Sequence, residues 1–160
     1  MRIAIIGAGL AALSCAEQLA PAGHSVVLLD KGRGPGGRMS TRRVATPLGE
    51  VRFDHGAPFF TARDKRFRQA VAAWEKQALV RPWPAGGLEA WVGIPGMNAV
   101  VKYMAAQHNV CWNTFAQGLL RDSGHWKIAT DAGLLGPFDS VIVATPAEQA
   151  APLLSLNDLE

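Results

Sequence analysis

Apolar and polar positions along this chain follow two rhythms. Ile3-Ala4-Ile5-Ile6 is a short unbroken apolar run, and Val26-Val27-Leu28-Leu29 is another. Runs of this length, bounded by glycine or polar residues, predict strands covered on both faces, as in a parallel sheet. Between them Ala12, Ala16 and Leu19 recur at helical spacing, and Pro21-Ala22-Gly23 stops the helix. Further on, Phe67, Val71 and Trp74 at i, i+4 and i+7 predict a second helix over 67–77, its apolar stripe part of a core. Met97–Gln107 predicts a third, after a Gly93-Ile94-Pro95-Gly96 turn. Gly118–Arg121, Trp126–Thr130 and Ser140–Ala144, with turn signals at Asp122-Ser123-Gly124 and Gly136-Pro137, predict a small antiparallel meander returning to the main sheet. A helix begins at Pro146-Ala147-Glu148-Gln149 and reaches about Leu154.

The junction of the first strand and first helix carries the chemistry. Gly7-Ala8-Gly9-Leu10-Ala11-Ala12 fits the GxGxxG/A turn. Gly7 permits the sharp turn, Gly9 lets the backbone approach a pyrophosphate, and Ala12 is small enough for close helix–strand packing. Asp30 ends the second strand about 20 residues on, where a carboxylate can accept from adenosine ribose hydroxyls. The alternative reading of the N-terminus, an export signal, fails. Gly7 and Gly9 interrupt the apolar run, and Glu17-Gln18 follow without a clean cleavage pattern.

Composition narrows the class. In 160 residues, 49% hydrophobic and 18% charged, the chain reads as one globular domain. No apolar run reaches the roughly 18 residues of a membrane-spanning helix. The net charge of +3 concentrates in Lys31–Arg43 and Arg63–Arg68. Clustered arginine suits nucleic acid, but it suits a phosphate-bearing cofactor equally, and no nucleic-acid or membrane partner is expected. The second cluster is most simply the solvated face of its helix. Cys15 and Cys111 form no CxxC or metal spacing, which suits a reducing cytoplasm and implies no metal site. The Asp54-His55 pair does not make an acid/base dyad, because neighbours in an extended segment point to opposite faces. No nucleophile–base constellation occurs, as expected where a cofactor carries the redox chemistry.

After Asp30 the chain does not return directly to helix. Lys31-Gly32-Arg33-Gly34-Pro35-Gly36-Gly37-Arg38-Met39-Ser40-Thr41-Arg42-Arg43 is a second glycine loop with several arginine forks. Two such loops suggest an extended dinucleotide held at both phosphates. "GAGLAA…DKGRGPGGRMSTRR" resembles the two-part fingerprint of the flavin-dependent amine oxidase superfamily. "FDHGAPFFTARD" (Phe53–Asp64), "WVGIPGMNAVVKYMA" (Trp91–Ala105) and "FDSVIVATPAEQAAPLL" (Phe138–Leu154) are similar to its renalase-like oxidoreductases.

The resemblance implies an α/β fold: a Rossmann-type FAD/NAD(P)-binding parallel sheet with an antiparallel meander, the substrate domain largely absent. It implies one such domain over 1–160, with a partial substrate region over about 44–95, and a third parallel strand at Val110–Phe115 after the helix at Met97–Gln107. It implies non-covalent FAD, with Gly7, Gly9 and Ala12 at the pyrophosphate turn, Asp30 on the ribose, and Lys31 opening the second loop. Gly37 and Arg38 would flank the phosphates and the start of the flavin, and Gly56 and Ala57 would lie near the isoalloxazine. The strand around Ala116 would meet adenine through its backbone, and Thr145 would sit above the cofactor.

The implied reaction is oxidation of a small substrate, a dihydronicotinamide, with oxygen giving hydrogen peroxide. Flavin-dependent amine oxidation, a flavin-free NAD(P) oxidoreductase and a non-catalytic dinucleotide-binding module are the alternatives. Pro58 stands where the family usually has Gln, and the Trp83–Trp91 link is shorter than the family's hairpin. The family's members are considerably longer, and a glycine-rich segment that closes over the flavin has no counterpart after Thr145. The expectation is therefore a chain that grips the ADP moiety, binds FAD weakly or not at all, does not turn over, and exposes an apolar face that favours self-association or needs a missing partner.

Overall fold

The computed structural model describes residues 1–155. Two compact units divide the chain: Met1–Gly34 with Ala105 onward, and Pro35–Met104.

The first unit is built on a parallel sheet. Strand β1 (Arg2–Ile6) lies between β2 (Ser25–Leu29) and β12 (Ser140–Val143), and β2 pairs in turn with β8 (Asn109–Cys111). Ile3 to Ile6 are all buried, as a strand covered on both faces requires. Helix α1 (Leu10–Leu19) packs on β1 and β2 and buries Ala12, Leu13 and Ala16. On the other face Ala4, Ile6 and Leu29 share a core with Ala116, Leu119, Ile128, Phe138 and Leu153. Those residues come from an antiparallel meander, β9 (Ala116–Asp122), β10 (His125–Thr130) and β11 (Gly133–Phe138), and from helix α4 (Ala147–Leu154).

The meander differs from the sequence expectation in its third strand. Ser140–Val143 joins the parallel sheet, and Gly133–Phe138, read as a turn region, supplies β11. Pro137 is tolerated because β11 is an edge strand with β10 on one side only. The third parallel strand also ends early, at Cys111. Asn113 and Thr114 turn their N–H groups back to the carbonyls of Gly32 and Asp30, both at 2.9 Å.

The second unit holds a two-stranded hairpin, β3 (Thr41–Thr46) and β4 (Gly49–Asp54), and an antiparallel sheet in the order β5 (Phe60–Thr61), β7 (Ala90–Gly93), β6 (Val80–Pro82). Helix α2 (Lys65–Lys76) buries Val71 and Trp74, with Phe67 meeting Trp74 edge-on at 5.9 Å, so the predicted stripe is core. Asp64 caps it, its Oδ1 accepting from the N–H groups of Arg66 and Phe67 at 2.9 and 3.0 Å. Chiefly the Phe67 N–H holds the Asp64 carboxyl below its ordinary value. Helix α3 (Ala99–Ala105) begins two residues later than predicted. Met97 and Asn98 are held before it, their N–H groups bonded to Asp54 Oδ1 (2.9 Å) and Thr41 Oγ1 (3.3 Å). Among the described residues no helix is long and apolar enough to cross a membrane.

Candidate functional site

The glycine turn leaves β1 at Gly7 and enters α1 at Gly9. Gly7 has φ +105°, and a Cβ there would sit 3.1 Å from the Ala144 carbonyl oxygen at the end of β12. Its N–H donates to the Leu29 carbonyl at 2.7 Å, so the turn is pinned between β2 and β12. The chain requires glycine at this position for its own packing.

Gly9 is different. It is the N-cap of α1, in ordinary extended geometry (φ −79°, ψ −178°), and a Cβ there would meet nothing within 4 Å. No side chain caps the helix, and its first turn carries no acid. The N–H groups of a helix's first turn have no intrahelical acceptor, and the helix dipole makes that end attractive to an anion. No neighbouring atom obstructs the approach of an anion to the helix terminus at Gly9. Ala12 is fully buried against the sheet, in the packing position its small size predicts.

Asp30 lies beside this turn and has a task the sequence reading did not assign. Its Oδ2 accepts from the Ala8 N–H and its Oδ1 from the Gly32 N–H, both at 2.7 Å. One carboxylate thus clamps the first glycine loop to the start of the second. Each carboxylate oxygen keeps a second lone pair, so acceptance from a ribose hydroxyl remains open to it. Charge-assisted bonds of this kind are about twice as strong as neutral ones. The signal that could have revealed the clamp is the placement of Asp30 directly before Lys31-Gly32, since Asp side chains bond backbone N–H groups two residues on.

Around Asp30 the first unit gathers its other candidates. The Asp30 N–H donates to Cys111 at 3.0 Å, and the segment that follows leads into Ala116, which is buried and opens β9. Lys31 Nζ donates to Gln149 Oε1 at 3.0 Å and lies 5.8 Å from the Phe115 ring centre, tying the loop to α4. Thr145 follows β12, and its Cγ2 lies 3.6 Å from where a Gly7 Cβ would be. Its Oγ1 is buried without a hydrogen-bond partner, a polar atom left over at the turn. Gly7, Gly9, Ala12, Asp30, Lys31, Ala116 and Thr145 all belong to this unit.

The remaining candidates form their own cluster in the second unit. Gly37 and Arg38 sit in a 3₁₀ turn (Gly37–Met39), and the Arg38 carbonyl accepts from the Ala57 N–H at 2.8 Å. At Gly56 a Cβ would overlap the Arg38 carbonyl oxygen, so only glycine allows the two segments to meet. Arg38, Gly56 and Ala57 are thereby brought together, with the Arg38 side chain exposed. Asp54 is structural, accepting from Thr41 Oγ1 at 2.6 Å and from Met97, and makes no dyad with His55. The short Trp83–Trp91 link borders an open groove of about 420 Å³ lined by Thr61, Arg63, Gly87, Leu88 and Glu89, with an Arg63–Glu89 ion pair of 3.1 Å.

Comparison with known proteins agrees with the first loop. Residues 5–74 match the model of the NAD(P)-binding Rossmann-like domain family. Hydroxyneurosporene desaturase of Rubrivivax gelatinosus is 37% identical over 95 residues, 58% of this chain and 17% of that protein. A fatty acid isomerase of P. acnes superposes with a TM-score of 0.70 at 17% identity, over 98% of this chain and 62% of its own. The amino acid oxidase NikD superposes at 0.52 with 15% identity, over 96% and 53%. The chain thus spans less than two thirds of each. These likenesses show an α/β fold with a Rossmann-like parallel sheet and attached antiparallel strands.

Proposed function

We propose that this chain is the dinucleotide-gripping part of a flavin-dependent oxidoreductase of the amine oxidase type. The observation that carries the reading is the uncapped N-terminus of α1, with open space before Gly9 and Asp30 alongside. An ADP moiety fits there. Its pyrophosphate would take the first-turn N–H groups, its ribose the free lone pairs of Asp30, and Thr145 Oγ1 would gain a partner. FAD bound in this way would supply the two-electron acceptor for a substrate carbon. The protein's part is binding and orientation. Asp30 holds the turn in shape, the α1 terminus supplies positive potential, and Gly7 keeps β12 close enough for Thr145 to reach the turn.

A desaturase, an isomerase and an amino acid oxidase share the architecture, so the fold by itself does not select the substrate. The renalase-like motifs favour a second reading, oxidation of a dihydronicotinamide with oxygen as acceptor and hydrogen peroxide as product. A dinucleotide-binding part without turnover of its own is the third.

Titration with ADP, FAD and NADH separates them. Equal affinities for ADP and FAD, without peroxide, support the gripping part alone. FAD bound far more tightly than ADP, with peroxide from a dihydronicotinamide, supports the renalase-like reading. Tight NADH binding with no affinity for FAD refutes the flavin assignment.

A further inference from the structure

We propose that β4 is a self-pairing edge, through which two copies of this chain join antiparallel about a dyad at Val51. The β3–β4 hairpin is the least covered element of the second unit. Among the described residues no other strand pairs with it. Isolated two-stranded hairpins are marginal in water, and their free edges are templates for further strands.

The register of the hairpin fixes what its outer edge offers. The His55 N–H donates to the Ser40 carbonyl at 2.9 Å, which makes Ser40 and His55 a hydrogen-bonded pair. Alternation along an antiparallel ladder then makes Arg42/Phe53 and Val44/Val51 bonded pairs, and Arg43/Arg52 and Ala45/Glu50 non-bonded ones. Glu50 and Arg52 therefore turn their backbone N–H and C=O groups away from β3, and no backbone bond takes them up. One side of the hairpin presents Val44, Val51 and Phe53, with Arg42 opposite Phe53, and Val44 and Phe53 are exposed. The other carries Arg43, Glu50 and Arg52, side by side and half exposed.

One antiparallel register of β4 on itself suits these residues best. A dyad at Phe53 sets Arg52 opposite Asp54, but the Asp54 carboxylate is already engaged by Thr41 Oγ1 and the Met97 N–H. A dyad at Arg52 sets Arg52 against its own copy and Glu50 against Asp54, and a dyad at Glu50 sets two Glu50 carboxylates together. A dyad at Val51 sets Glu50 opposite the partner's Arg52 twice, Val51 on Val51, and Phe53 over Gly49. Those Glu50–Arg52 pairs are also the ones whose free backbone groups face outward, so four ladder bonds close with the charges matched. Both existing contacts of Glu50 use Oε1, from Arg52 Nε at 3.4 Å and Arg43 Nε at 4.0 Å, which leaves Oε2 for the second copy. The equivalent β3 edge brings Arg43 against Ala45 and gains no charge pairing. The product is a four-stranded sheet, β3-β4-β4-β3, with Val44, Val51 and Phe53 of both copies on one face beside Arg42 and Thr46.

The interface is small, so the dimer is weak and concentration-dependent, to be followed by sedimentation from about 10 µM to about 1 mM. The mass is expected to rise toward that of a dimer. Glu50→Arg and Arg52→Glu should each weaken self-association by about tenfold or more, because each turns two attractive pairs repulsive. An equimolar mixture of the two variants should associate again, since the Glu50→Arg chain and the Arg52→Glu chain complement each other across the dyad. Val51→Cys should form an intermolecular disulfide under mild oxidation, because Cα atoms of a non-bonded antiparallel pair lie within disulfide reach, about 4.5 Å apart. Val44→Cys and the wild type should not.

A wild-type chain that stays monomeric across the range overturns the proposal. So does association that survives either charge reversal, a mixture no better than its components, or absence of the Val51→Cys cross-link. Binding of the monomer to phosphatidylserine vesicles through the hairpin would also overturn it.

Discussion

Gly7 and Gly9 stand two residues apart in one turn, yet replacing them should do opposite things. Gly7→Ala places an L residue at φ +105°, at a cost of about 1–3 kcal/mol. Its Cβ also arrives 3.1 Å from the Ala144 carbonyl, tighter than most real contacts, and pushing β12 aside adds about 1–3 kcal/mol. The total, about 2–6 kcal/mol, is a large part of the stability of a typical domain. Gly9→Val meets nothing within 4 Å and keeps an extended backbone that valine adopts readily. Its cost without ligand is the weaker N-cap, about 1 kcal/mol or less.

With ADP the order reverses. The valine methyls fill the space the pyrophosphate needs, and affinity should fall by about tenfold or more. Urea unfolding of the ligand-free variants, followed by calorimetric titration with ADP, reads both quantities. If Gly9→Val destabilised the free chain as much as Gly7→Ala, or bound ADP normally, the phosphate site would be misplaced.

Asp30→Ala should lower stability and ADP affinity together, since the Ala8 and Gly32 N–H groups lose a charged acceptor worth about 1.5–3 kcal/mol each before burial is discounted. A variant that loses affinity at unchanged urea midpoint would assign Asp30 to the ribose alone. Arg38→Ala should weaken FAD binding more than Arg66→Ala, which lies on the solvated face of α2; equal titration curves would remove the second glycine loop from the cofactor site. Asp64, whose carboxyl lies below its ordinary value because the Phe67 N–H donates to it, supports α2 fully above the usual carboxylate range. That support is lost as pH falls through the lowered folded-state value. Between neutral pH and about pH 3, wild type should therefore lose more stability than Asp64→Asn, and equal losses in urea midpoint would count against the cap.

The parts legible in sequence are those whose reasons are local. β1, α1 and β2 are spelled out by unbroken apolar runs, a helical stripe and a glycine turn, and the structure has all three within a residue or two of the expected bounds. The parts that were not legible depend on remote partners. Val110–Phe115 is expected as one strand, but Gly32 and Asp30 accept from Asn113 and Thr114 and bend it away. Met97 looks helical, but Asp54 holds its N–H. The β3–β4 hairpin was not assigned as strands, because three arginines obscure the alternation of Val44, Val51 and Phe53 around Pro47-Leu48. In the candidate site the motif pointed to Gly7, Gly9 and Asp30, whereas the different surroundings of Gly7 and Gly9, and the clamp made by Asp30, needed distances.

The order of strands in the parallel sheet also sets the order of events in folding. β1 is central, yet one neighbour, β12, is separated from it in sequence by all the other strands of the described chain. Its other neighbour, β2, must wait for β8, with the whole of Pro35–Met104 intervening. Closing that loop as open chain is an entropic cost that grows by about 0.6 kcal/mol per doubling of length. If Pro35–Met104 compacts first, it acts as a short tether and brings Leu29 within reach of Cys111, its partner in the ladder. Substitutions that loosen α2 or β5-β7-β6 should then slow completion of the Rossmann-like sheet even though they touch none of its strands.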